Sequence, residues 1–126
     1  MYLREIIAQF KAAGIRTSIF VEPVEEMIQG AADTGTDRIE LYTEGYAVGY
    51  SQDSEKAISP FVAAAVKAKE VGLGLNAGHD LNLENIHYFA QNIPNLLEVS
   101  IGHALISEAL YSGFETIIHA YLEKLA

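Results

Sequence analysis

The feature that most constrains the fold of this chain is the alternation of short strand-like segments with helix-like ones. The strand-like segments span residues 16–22, 38–42, 73–76 and 98–101, and each precedes a stretch with helical periodicity. Another helix-like stretch, residues 3–13, comes before the first strand. Alternating strands and helices predict an α/β fold with a parallel sheet and right-handed crossovers. We therefore expect one helix followed by four βα units.

The two faces of the predicted strands differ in polarity. One face is aliphatic: Ile19, Val21, Ile39, Leu41, Leu73, Leu75, Val99 and Ile101. The other face is largely polar: Ser18, Glu22, Glu40, Tyr42, Asn76, Glu98 and Ser100. An open doubly wound sheet is apolar on both faces, whereas a polar second face suits the interior of a barrel with a site at one end. The pattern predicts half of a (β/α)8 TIM barrel, with four parallel strands and flanking helices.

The connections are predicted to hold the remaining helices and one long loop. These helices span residues 23–32, 60–72, 83–93, 104–110 and 114–125. Ser59 and Pro60 suit the N-cap and first turn of the second of them, and Asn82 suits the N-cap of the third. Residues 43–56, which contain glycine, serine and aspartate, are predicted to be irregular. Loops of this length tend to be functional or disordered.

Composition excludes several classes of function. The chain has 126 residues, half of them hydrophobic, which is enough for one domain with a core. The net charge of −9 argues against a nucleic-acid surface, and no apolar run approaches the roughly 20 residues that span a membrane. The charged N-terminus MYLREIIAQF does not resemble a signal peptide, and there is no cysteine for disulfide or thiolate chemistry. We expect a cytoplasmic protein.

Two matched turns carry the predicted chemistry. Gly78-His79 and Gly102-His103 each follow a predicted strand, one βα period apart. In barrels the loops after the last two strands often bind phosphate through backbone N–H groups and a helix N-terminus. Glycine allows close approach of the backbone, and histidine can donate a hydrogen bond or a proton. The simpler interpretation is that each glycine only makes a tight turn and each histidine is a polar loop residue.

Other polar residues on the strands are weaker candidates. Glu40 lies between two aliphatic residues and points toward the predicted barrel interior, where a carboxylate needs a partner or a function. It is either a substrate contact or one half of an ion pair with Arg16 or Arg38. Asn76 is a second possible substrate contact, and Glu98 is predicted to be structural. The sequence contains no P-loop and no metal-ligand cluster, so we predict no metal site.

Three motifs carry a resemblance to a known family. NAGHDL, SIGHALI and RIELYTEGYA together resemble pyridoxine 5′-phosphate synthase, a (β/α)8-barrel enzyme of vitamin B6 biosynthesis. The resemblance runs from Leu3 to the C-terminus but covers only the second half of the family's barrel, since TSIFVE matches its fifth strand. It implies that residues 1–126 are a C-terminal half-barrel with strands five to eight.

The resemblance also implies a reaction and its residues. The family condenses 1-deoxy-D-xylulose 5-phosphate with 3-amino-2-oxopropyl phosphate to pyridoxine 5′-phosphate, with loss of phosphate and water. The proton-donating histidine of the family's AGH motif maps onto His79. The family position after this histidine is commonly glycine and binds the aminoketone phosphate; in this sequence it is Asp80. Gly102 and His103 match the family residues that make the second contact with that substrate. No cofactor is implied, and we expect a homo-oligomer whose partners are phosphorylated small molecules.

The family's first four strands supply another catalytic histidine, a catalytic glutamate and phosphate-binding arginines, for which this sequence has no counterpart. We therefore expect the isolated polypeptide to lack synthase activity and a longer chain that contains it to be active. The alternative is a self-pairing half-barrel that binds phosphate without catalysis. An unrelated phosphate-binding barrel enzyme, of the kind found in tryptophan or histidine biosynthesis, is a third hypothesis, but it offers no obvious place for the paired motifs.

Overall fold

The structure is a computed structural model that describes residues 2–126 as an α/β fold. The strands are β1 (Ser18–Val21), β2 (Arg38–Tyr42), β3 (Gly74–Gly78) and β4 (Leu96–Ser100). The helices are α1 (Tyr2–Ala12), α2 (Glu25–Asp33), α3 (Glu44–Tyr50), α4 (Ser54–Glu70), α5 (Ile86–Asn92), α6 (His103–Ser112) and α7 (Phe114–Leu125). The predicted order of one helix followed by four βα units is confirmed.

The four strands form one parallel sheet in the order β1-β2-β3-β4. Glu40 pairs with Phe20 on one side and with Asn76 on the other, and the register between β3 and β4 shifts once, at Leu75 and Asn76. Because all strands are parallel, their carboxyl ends lie at one edge of the sheet. The four-stranded parallel sheet with flanking helices has the arrangement of half a TIM barrel, as predicted.

The aliphatic face of the sheet forms the main core. Ile39, Leu41 and Leu75 are at most 1% exposed, and they cluster with α4 side chains that include Ala68 and Phe61. Alanine lets a helix approach a sheet closely, and burial of apolar surface is the main favourable contribution to folding. Ile19, Val99 and Ile101 are only partly buried at the margins of this cluster.

The opposite face of the sheet carries a polar network. Glu98 forms ion pairs with Arg38 at 3.0 Å and Arg16 at 3.4 Å. Asn76 accepts a hydrogen bond from Arg38 at 3.1 Å and donates one to Glu98 at 3.1 Å. Partial desolvation opposes the effect, but the charges of Arg16 and Arg38 lower the pKa of Glu98 below its usual value. This network joins β2, β3 and β4, which agrees with the structural role predicted for Glu98.

The prediction of an irregular segment at residues 43–56 was wrong. Most of it forms α3, and α4 begins at Ser54 rather than at Ser59 and Pro60, so Pro60 lies inside the helix. Two glycines lower the helix propensity of α3. Tertiary packing overrides this propensity, because the ring of Tyr46 is fully buried against those of Phe61 and Phe89.

The start of α4 is set by a cap that the sequence interpretation did not identify. The side chain of Asp53 accepts a hydrogen bond from the backbone N–H of Lys56 at 2.9 Å. An aspartate at this position satisfies one of the free N–H groups of the first turn. Helix α5 also begins later than predicted, at Ile86, although Asn82 accepts hydrogen bonds from the N–H groups of Glu84 and Asn85 in the preceding turn.

Candidate functional site

The turn after β3 places the first candidate histidine. Gly78 ends the strand, and a Cβ atom there would collide with a carboxylate oxygen of Glu40 and lie 2.9 Å from the Cβ of Ser100. Glycine is therefore required where β3 passes its two neighbours. His79 and Asp80 follow with φ values of +94° and +57°, a region that residues other than glycine seldom occupy. The imidazole of His79 is about half exposed, and its Nδ1 lies 3.5 Å from Oδ2 of Asp80.

Buried polar groups hold this turn from behind. Thr43 is fully buried; its N–H donates to the carbonyl of Gly78 at 3.0 Å and its hydroxyl donates to the carbonyl of His79. Asn85 is 3% exposed, and its amide donates to the carbonyl of Asp80 at 3.2 Å. Neither residue was identified from the sequence. Thr43 directly follows a strand at the carboxyl edge of the sheet, and this position was the one available signal.

Aromatic rings flank the imidazole of His79. The ring of Tyr42 contacts it edge to face with a centroid separation of 4.9 Å, and Phe20 lies 5.2 Å from Tyr42 and 6.3 Å from His79. The hydroxyl of Tyr42 donates to the carboxylate of Glu44. This hydrogen bond raises the pKa of Tyr42 to about 12, so the phenol is protonated at neutral pH. The contacts restrict the directions that the imidazole can take.

The turn after β4 leads directly into α6. Gly102 is the N-cap residue and His103 the first helical residue, and no side chain caps the first turn. The free N–H groups of a helix N-terminus, together with its dipole, favour an anion. This turn therefore offers backbone donors beside a histidine, as the sequence predicted.

Both turns line one open depression of about 870 Å³ at the carboxyl edge of the sheet. His79, Asp80, Gly102 and His103 all border it, and so does Glu40. Ser100, Asn82, Val48 and Ile106 also line it and were not identified as candidates from the sequence. The two histidine-bearing turns follow adjacent parallel strands, as their spacing predicted.

The two weaker candidates, Glu40 and Asn76, have different surroundings in the structure. Glu40 lines the depression and accepts a hydrogen bond from the hydroxyl of Ser100 at 3.4 Å. The arginines proposed as its ion-pair partners, Arg16 and Arg38, contact Glu98 instead. Asn76 does not border the depression, and its side chain is engaged by Arg38 and Glu98. Of these two residues, only Glu40 borders the depression.

Within residues 2–126, no three histidine or acidic side chains are grouped in a way that could hold a metal ion. In the same part of the chain, no helix combines the length and hydrophobicity needed to cross a bilayer.

The amino-acid sequence is similar to those of a known protein family. A family model described as pyridoxal phosphate biosynthesis protein PdxJ matches residues 1–126. Curated proteins named pyridoxine 5′-phosphate synthase are similar: that of Flavobacterium johnsoniae is 63% identical, that of Christiangramia forsetii 62% and that of Cytophaga hutchinsonii 56%. Each alignment covers 98% of this chain and 52% of the relative, so the chain spans about half the length of the curated relatives it matches. The chain belongs to the PdxJ family of pyridoxal phosphate biosynthesis proteins.

Proposed function

We propose that this chain supplies the C-terminal half of the active site of a pyridoxine 5′-phosphate synthase. The reaction joins 1-deoxy-D-xylulose 5-phosphate and 3-amino-2-oxopropyl phosphate into pyridoxine 5′-phosphate, releasing phosphate and water. Family membership supports this reaction. The observation that carries the proposal is the shared depression, because the two Gly-His turns border one space at the carboxyl edge of the sheet.

In this proposal His79 is the proton donor. Ring closure requires dehydrations, and each dehydration needs a proton delivered to a departing hydroxyl group. An imidazole changes protonation near neutral pH and therefore suits this step. The half-exposed imidazole of His79 borders the depression, and its Nδ1 lies 3.5 Å from Oδ2 of Asp80.

The Gly102-His103 turn binds a substrate phosphate in this proposal. The first turn of α6 has no side-chain cap, so its N–H groups are available to an anion. His103 borders the same depression and can add a hydrogen bond. Asp80 borders the same space, and because its carboxylate would repel a phosphate, any phosphate contact at this position would have to come from the backbone.

Activity is tested by joining this chain to the N-terminal half of the Flavobacterium johnsoniae relative, because the chain matches only 52% of that protein. We expect the chain alone to be inactive and the joined protein to form pyridoxine 5′-phosphate. His79→Gln in the joined protein should lower kcat by about 100-fold or more, the range typical of a lost general acid. His119→Gln, at an exposed position on α7, is the matched control. Turnover by the isolated chain, or full activity of His79→Gln, would contradict the proposal.

One observation favours the alternative of a self-pairing phosphate-binding module. In the described residues β1 pairs only with β2, and β4 pairs only with β3, so each has a second edge available to another chain. A second copy related by a twofold axis could place its β4 beside β1 and close the sheet. A stable dimer whose melting temperature rises with inorganic phosphate, and which the other half-barrel does not convert into an active enzyme, would support the module.

A further inference from the structure

We propose that Thr43 and Asn85 are positioning residues that together hold the His79 turn in its left-handed conformation. Both side chains bond backbone groups of the turn; Thr43 does not border the depression, and Asn85 lines it with its side chain engaged by the turn. The catalytic meaning of this arrangement rests on the proposed role of His79. The conformational claim itself can be tested without any activity.

Thr43 connects the end of one strand to the end of the next. It directly follows β2, and its N–H donates to the carbonyl of Gly78 at 3.0 Å, which extends the β2–β3 pairing by one hydrogen bond. Its hydroxyl donates to the following carbonyl, that of His79. The side chain is fully buried, so water does not compete for this hydrogen bond.

Asn85 holds the next carbonyl from the other side. Its amide donates to the carbonyl of Asp80 at 3.2 Å, and its Oδ1 accepts from the N–H of Asn82 at 2.9 Å. The backbone carbonyl of Asn85 accepts a hydrogen bond from the hydroxyl of Tyr46 at 2.7 Å. Tyr46 is fully buried in the main core, so Asn85 is anchored to that core.

Three successive carbonyls are therefore held by two buried residues: the N–H of Thr43 holds that of residue 78, the hydroxyl of Thr43 that of residue 79, and the amide of Asn85 that of residue 80. His79 and Asp80, both of which have a positive φ, lie within this stretch. Such a conformation is unfavourable for a side chain with a Cβ atom and persists only where the surroundings impose it. Removing one donor should release the backbone and change the direction in which the imidazole of His79 points.

The experiment compares Thr43→Val with Thr43→Ser in the isotopically labelled chain. Valine keeps the shape but loses the hydroxyl, whereas serine keeps the donor. The Cα and Cβ chemical shifts of residues 79 and 80 report the left-handed backbone, and amide order parameters report its rigidity. We expect Thr43→Val to lose the left-handed shifts and to lower the order parameters at these residues, and Thr43→Ser to retain both. Unchanged shifts in Thr43→Val would overturn the proposal.

A second variant covers the case in which Thr43→Val does not fold. Asn85→Asp keeps the acceptor for Asn82 but removes the donor to Asp80, so it should loosen the turn from the other side. The same changes at residues 79 and 80 support the proposal, and an unchanged turn overturns it.

In the joined enzyme, Thr43→Val should lower kcat by about tenfold or more with little change in KM, since a small misplacement of a catalytic group affects mainly the chemical step. Thr43→Ser should restore most of this loss. If His79→Gln proves harmless, the proposed role of His79 fails, while the chemical shifts still decide whether Thr43 and Asn85 hold the turn.

Discussion

Asp80 has a φ of +57°, a backbone angle that glycine adopts without strain. The resemblance to the synthase family implies that this position is commonly glycine, and the backbone angle supplies a physical reason. Aspartate is among the few other residues that tolerate it. Aspartate therefore fits the backbone of this turn, but it adds a carboxylate beside the depression that we assign to phosphate.

Replacing Asp80 should strengthen phosphate binding. Asp80→Gly and Asp80→Asn both remove a negative charge at the border of the depression and both tolerate the positive φ. We expect the dissociation constant for inorganic phosphate to fall by about threefold at low salt, and less at high salt because ions screen exposed charges. Titration calorimetry measures the change.

Glu84→Gln provides the matched control for this titration, since Glu84 is an exposed acid of the same turn region that does not border the depression. Equal phosphate affinities in Asp80→Gly and the unmodified chain at low salt would show that the carboxylate does not face the anion.

Asp37 connects three elements near the amino edge of the sheet. Its carboxylate accepts hydrogen bonds from the N–H of Thr17 at 2.8 Å and the hydroxyl of Thr17 at 3.1 Å, and it pairs with Lys11 of α1 at 3.0 Å. The backbone hydrogen bond from Thr17, followed by the interaction with Lys11, lowers the pKa of Asp37 from 3.8 to about 2. The residue thus holds α1 and the segment before β1 against the start of β2.

The contribution of Asp37 to stability should depend on pH. Because its pKa is lower in the folded state, the stabilisation is complete above pH 4 and is lost as the pH falls through about 2. Asp37→Asn should therefore be less stable than the unmodified chain at pH 7, and the difference should shrink as the pH falls from 4 to 2. Urea unfolding at several pH values measures it.

Glu26→Gln, on the exposed surface of α2, is the control, because it measures the change in stability caused by losing an exposed carboxylate. A constant difference between Asp37→Asn and the unmodified chain from pH 7 to pH 2 would show that the charge of Asp37 does not stabilise the fold.

Elements with a strong periodic pattern could be predicted from the sequence, and elements that depend on distant packing could not. The alternation in β2, with Ile39 and Leu41 on one face and Glu40 on the other, is a local signal and was interpreted correctly. Helix α3 has weak local propensity and is stabilised by rings that come from α4 and α5. The hydroxyl of Thr43 likewise bonds a carbonyl 36 residues away in the sequence. Asn85 bonds a carbonyl five residues before it, in a turn that has no periodic pattern.

At the scale of the whole molecule, the sheet remains open on one face and at both edges within residues 2–126. Phe20 and Leu97 are more than half exposed, and Arg16 and Glu98 form their ion pair in contact with solvent. A closed barrel would cover such groups and pair both edges. The fold class and the location of the candidate site were predictable because both depend on the strand pattern alone.

The open sheet predicts a specific partner. When the chain is mixed with the N-terminal half of the Flavobacterium johnsoniae relative, we expect a one-to-one complex with a higher melting temperature than either part, because pairing at β1 and β4 buries both edges. Light scattering measures the stoichiometry. A dimer of this chain that persists in the presence of the other half would contradict the expectation and favour the self-pairing module.

The strand order has a consequence for how the chain folds during synthesis. Each strand lies beside the one that precedes it in the sequence, and no later strand inserts between two earlier ones. As the chain leaves the ribosome, β2 can add to β1, β3 to β2 and β4 to β3, each as soon as its own helix-containing connection is complete. If translation is arrested once α4 has emerged from the ribosome, a β1–β2 pair should therefore already have formed, with the outer edges of both strands still unpaired.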